Sequence, residues 1–79
     1  MPWGVVLLND DFNTSATACY ALHRVLGMAP AEVDPLIALL RDEGQAGVLT
    51  SEDRELAERA ALKLRVFGLR ARVAAVAGD

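Results

Sequence analysis

The chain has 79 residues, 53% of them apolar and 24% charged, with a net charge of −3 at pH 7; this is the balance of a globular protein rather than a disordered one. At that length it makes a single domain, read here as residues 1–79, which buries only somewhat more than about 60% of the surface its unfolded chain exposes. No apolar run approaches the roughly 18 residues of a membrane span and residues 1–4 carry no basic n-region, so a soluble, cytoplasmic protein with no membrane partner is expected.

Trp3–Leu8 reads as a short strand with almost no polar break, as for a strand buried on both faces or lying under helices. It stops abruptly at Asn9, Asp10 and Asp11, whose short side chains favour turns and caps. Asn13, Thr14 and Ser15 supply N-cap candidates for a helix to about Leu26, with Ala18, Leu22, Val25 and Leu26 on one stripe and Gly27 just past its end. A second helix is written by Val33, Leu36, Ile37 and Leu40 and stops at Gly44. Its start has two solutions: Pro30 at N1 after Ala29, with Pro35 kinking the opening turns, or Asp34 capping a shorter helix with Pro35 at N1.

Residues 45–50 form a brief strand. Thr50 and Ser51 then open a third helix, in which Thr50 with Asp53 resembles a capping box and Glu52, Asp53 and Glu55 suit the positive helix N-terminus. Leu56, Ala60, Leu64 and Phe67 are its expected core stripe and Gly68 its end. Residues 69–77 form a last strand, in which Leu69, Ala71 and Val73 alternate with Arg70 and Arg72, so that one face is wet. The order βααβαβ gives a small α+β domain, a three-stranded antiparallel sheet with three helices on one face.

Charge is unevenly spread. Residues 1–58 hold three basic and ten acidic side chains, whereas residues 59–79 hold five basic and one acidic. Arg59, Lys63, Arg65, Arg70 and Arg72 therefore make a candidate basic surface. No Gly-rich loop or stacking aromatics accompany it, so no nucleic-acid partner is assigned. Cys19 and His23 are spaced i, i+4, but no third ligand or orienting group is evident, and no metal is assigned to them. Asp10 and Asp11 are paired carboxylates without a nucleophile and base, a metal cluster or a phosphate loop. Nor does the chain offer a loop with the six to eight oxygens that Ca²⁺ takes. The sequence reads as a binding module that is not an enzyme and needs no cofactor.

The run Leu8-Asn9-Asp10-Asp11-Phe12, then a helix, Gly27-Met28, a second helix ending Arg41-Asp42-Glu43-Gly44, and Phe67-Gly68-Leu69 before the last strand resembles the ClpS family. Its members are adaptors of the Clp protease and share a fold with the C-terminal domain of the ribosomal stalk protein. The resemblance implies two partners: the N-terminal peptide of a substrate beginning with a bulky apolar residue (an N-degron), and the N-terminal domain of a ClpA- or ClpC-type AAA+ unfoldase. It implies acceptors for an α-ammonium at Asn9 and Asp11, with Asp10 between them, and a pocket lined by Asn13, Ser15, Ala18, Ile37, Leu40 and Leu69. The chemistry suits the task. A free α-amino group, with a reference pKa of about 7.7 to 8.0, is largely cationic at pH 7, and charge-assisted hydrogen bonds to it are roughly twice as strong as neutral ones.

Three departures from the family accompany the match. Thr and Met usually stand where this chain has Asn13 and Ser15, which gives a wider, more polar or differently shaped pocket. Arg41 replaces a His that helps hold the ammonium. Two positive charges about 4 Å apart at an effective dielectric near 20 repel by about 4 kcal/mol, and a guanidinium accepts no hydrogen bond. Either Arg41 swings out to Asp42, Asp10 or another carboxylate, or free N-termini are not held in the family's usual way. Finally, members commonly carry an N-terminal extension that engages the unfoldase, where only Met1 and Pro2 precede Trp3 here. An alternative is a paralogue with this fold and an altered pocket, acting as a protein–protein interaction domain through the basic surface.

Overall fold

A computed structural model describes residues 2–9 and 15–76. Six elements follow one another: β1 (Trp3–Leu8), α1 (Ser15–Leu26), α2 (Pro30–Glu43), β2 (Gln45–Ser51), α3 (Arg54–Val66) and β3 (Arg70–Ala75). The expected βααβαβ order is present. The sheet is antiparallel with order β2-β1-β3, so the first strand is central.

Only one face of β1 is sealed. Val5 and Leu7 are buried, and they join Ala71 of β3 and the helices in a single core with Ala18, Ala21, Leu22, Val33, Ala57, Ala60, Ala61, Leu64 and Leu69. Val6 and Leu8 alternate onto the other face, half-buried, opposite Arg72 and Arg70 respectively. The wet face expected of the last strand is therefore shared by the first.

The two proline solutions for α2 resolve in favour of the longer helix. Ala29 is extended (φ −77°, ψ 155°) at the N-cap position, Pro30 occupies N1, and Glu32 Oε1 accepts the Ala29 N–H at 2.9 Å. Ala has no side-chain acceptor, so only this reciprocal half of a capping box is formed. Pro35 lies inside the helix, where it removes one hydrogen-bond donor without ending the element.

At α3 the expected cap is overturned and the expected core stripe is met only in part. Thr50 does not cap the helix, because it is still in β2, paired with Gly4. The cap is Asp53, whose carboxylate accepts the N–H groups of Glu55 and Leu56 at 3.0 and 3.4 Å, while Ser51 Oγ accepts the N–H of Asp53 at 3.0 Å. The expected core stripe holds at Ala60 and Leu64, which are buried, and at Phe67, which packs half-buried against the core, but Leu56 remains 47% exposed and Ala57 and Ala61 are buried instead. Three alanines and Leu64 thus make the inner face of the helix, and Leu56 lies to its side. The helix ends in a Schellman motif. Gly68 (φ 93°) donates to the Arg65 carbonyl at 2.9 Å and Leu69 to the Leu64 carbonyl at 3.2 Å, which turns Leu69 inward beside Leu64.

Candidate functional site

Two of the elements expected to carry the site, β1 and α2, meet where β1 runs out against the end of α2. Helix α2 closes on Gly44 in the left-handed region (φ 79°), with the Gly44 N–H bonded to the Leu40 carbonyl at 3.1 Å. The carbonyl of that same glycine accepts the N–H of Asn9 at 2.9 Å. One backbone bond thus fastens the first residue of the acceptor-rich run to the C-terminus of the second helix.

A β-bulge sets this meeting. From Trp3 to Val5 the β1–β2 register pairs Trp3 with Ser51 and Val5 with Leu49, but Val6 pairs with Gly47 and Leu8 with Gln45, leaving Val48 as the extra residue. Were the Trp3–Val5 register to continue unshifted, Asn9 would fall opposite Gln45; with the shift, Asn9 falls opposite Gly44. A bulge re-aims a strand at a defined point, and here the point is a helix terminus.

Helix ends carry unpaired carbonyls equivalent to roughly half a negative charge, which favours a cation within the last turn. The side chain of Asn9 is exposed beside that terminus. Asp10, Asp11 and Asn13 lie outside the described residues. Among the apolar residues assigned to the pocket, Ala18 and Leu69 are buried in the core, at 5% and 7% exposure, and Ile37 and Leu40 pack against it half-buried. These four share one cluster. Ser15 stands exposed in the first turn of α1, so the structure does not turn it into that cluster.

Arg41 points elsewhere. Its Nε donates to Asp42 Oδ1 at 3.0 Å, with the two side chains 72% and 62% exposed. The hydrogen bond, and secondarily the charge, of Arg41 hold the Asp42 carboxyl below its ordinary value, and Asp42 raises Arg41 above its own. Of the partners open to Arg41 in the sequence, Asp42 is the one that the described residues show; Asp10 lies outside them.

The five cations of the C-terminal third do not form one surface. Arg70 and Arg72 flank Leu8 and Val6 on the open side of the sheet, opposite the core-facing Ala71. On the helical side Arg59 pairs with Glu55 at 3.0 Å, and Arg65 Nε donates to the Ala71 carbonyl at 2.9 Å. Lys63 borders a groove of about 390 Å³ between α1 and α3, whose apolar lining comes from Val25, Leu26, Leu49, Leu56 and Ala60. Sequence reasoning missed this groove because it assigned Leu56 to the core. None of the described residues of the predicted site lines it. Among the described residues no group of three or more potential ligands is placed to hold a metal, and no helix is long and apolar enough to cross a membrane.

Comparison with known proteins decides the family. The profile described as ATP-dependent Clp protease adaptor protein ClpS matches residues 1–72. The chain belongs to the ClpS family. As a ClpS-family protein it is an adaptor of the Clp protease, a class that assists a protease rather than being one. Its structure is similar to that of Agrobacterium tumefaciens ClpS2, with a TM-score of 0.86 and 23% identity, over 92% of this chain and 94% of that one. At that identity the likeness is one of fold. Comparison with curated proteins by sequence finds no match.

Proposed function

We propose that this ClpS-family protein binds the free N-terminal residue of a substrate and delivers it to the N-terminal domain of a Clp AAA+ unfoldase. The observation that carries the reading is the Asn9–Gly44 backbone bond. It sets Asn9, the first residue of the acceptor-rich run, against a helix C-terminus, and an amide oxygen and a helix C-terminus both favour a cation such as an α-ammonium. Asn9, Asp10 and Asp11 are assigned to grip that ammonium, and Asn13, Ser15, Ala18, Ile37, Leu40 and Leu69 to receive the first side chain. Arg41, spent on Asp42 at the surface, need not oppose the incoming charge. The Agrobacterium ClpS2 structure is described as bound to L-phenylalaninamide, a molecule with a free α-amine and a bulky apolar side chain. That chemistry fits a site of this kind.

The alternative, a paralogue docking through one basic surface, is less favoured because its five cations are divided between the two sides of the sheet. Titration of fluorescent peptides beginning with Phe, Leu, Trp or Tyr, against N-acetylated versions, tests the proposal. Free ends are expected to bind and blocked ends to lose most of that affinity, since acetylation removes the charge and two donors. Equal binding of free and blocked peptides refutes it.

A further inference from the structure

Ile37, Leu40, Arg41 and Gly44 stand three, four and seven residues apart, so they share one face of α2. The inner part of that face, Ile37 and Leu40, packs on the core, and its outer end is the carbonyl that holds Asn9. Arg41 is the charged member between them. Its partner Asp42 is the adjacent residue, which does not share the face, so the pair draws the guanidinium sideways along the surface. Only Nε is committed to Asp42, and a guanidinium has five donors in a fork that matches a carboxylate.

Resting on the function proposed above, we infer that Arg41 reads the second residue of the bound segment and favours an acidic side chain there. Consecutive Cα atoms are about 3.8 Å apart. With the first ammonium at Asn9 and the first side chain against Ile37 and Leu40, the second residue leaves across the last turn of α2, within the span of an arginine. A Glu or Asp at that position exchanges with Asp42 for the same guanidinium. The exchange replaces one exposed ion pair by another, so the preference is modest, about two- to fivefold, as exposed pairs allow.

The test is a set of peptides beginning Phe-Glu, Phe-Gln and Phe-Lys with one common remainder, each with a free and an acetylated end, titrated at low and high salt. The inference expects Phe-Glu to bind about two- to fivefold more tightly than Phe-Gln at low salt, with Phe-Lys weakest, and the ratio to shrink at high salt. Arg41→Gln removes the Glu/Gln ratio, whereas Asp42→Asn enlarges it by removing the competitor. Both positions are exposed, and circular dichroism checks that each variant is folded. Free-end binding without a Glu/Gln difference, or a difference that survives Arg41→Gln, overturns this inference and leaves the function standing. Equal binding of free and blocked peptides overturns both.

Discussion

Replacing Gly44 by alanine isolates the backbone geometry on which the site depends. A Cβ built at Gly44 meets nothing within 4 Å, so the substitution causes no clash and any loss comes from the dihedral, φ 79°. Holding an L-residue in that left-handed region costs about 1–2 kcal/mol, and the gain from stiffening the unfolded chain prevails only where the native conformation suits the new residue, which it does not here. A net loss of about 1–2 kcal/mol is expected. With a urea m-value of about 1–2 kcal/mol/M for a domain this small, the midpoint should fall by about 0.5–2 M. Gly44→Asn should lose less, because asparagine tolerates the left-handed region better than alanine. Gly47 provides the control: its Cβ also meets nothing, and its φ is not positive, so Gly47→Ala should stay within about 0.5 kcal/mol. Equal midpoints for Gly44→Ala and the wild type would refute the assignment of strain to this turn. The same variant should weaken binding of Phe-initiated peptides, since its carbonyl anchors Asn9.

Two further predictions address the third helix. Asp53→Ala should destabilise the domain by about 1 kcal/mol in urea titration through loss of the cap to Glu55 and Leu56, whereas Thr50→Ala should leave the helix cap intact. Ala57→Leu should cost about 1–3 kcal/mol by overpacking a fully buried position; Leu56→Ala, half-exposed, should cost less than the 2–5 kcal/mol typical of a buried leucine. Thermal midpoints that rank Leu56→Ala as the more damaging change would overturn the placement of Ala57 rather than Leu56 in the core.

Much of this protein is written locally. Gly27, Gly44 and Gly68 mark the ends of the three helices because only glycine enters the left-handed region without penalty, and all three have positive φ. The alternation of Arg70, Ala71, Arg72 and Val73 states which side of the last strand is wet, and the sheet obeys it. The Asn9-Asp10-Asp11 run, read beside Leu40-Arg41, already named the candidate site and, in Arg41, the departure from the family pattern that bears most on its charge.

Other features depend on what each element meets. Leu56 and Ala57 are both apolar neighbours on α3, so hydropathy favours the leucine; in the fold Ala57 is fully buried while Leu56 borders the groove between α1 and α3, because which side of the helix meets the sheet is set by packing. Thr50 and Asp53 both suit a helix start, and pairing of Thr50 with Gly4 across the sheet decides between them. Arg41 had several carboxylates within possible reach, and the fold gives it Asp42. Most consequential is Val48, the extra residue in β2, which moves Asn9 onto Gly44 by shifting strand register. Register is settled between chain segments some forty residues apart, so the sequence by itself determined which groups are available for the site, and the tertiary structure decided that a strand end and a helix end meet to present them.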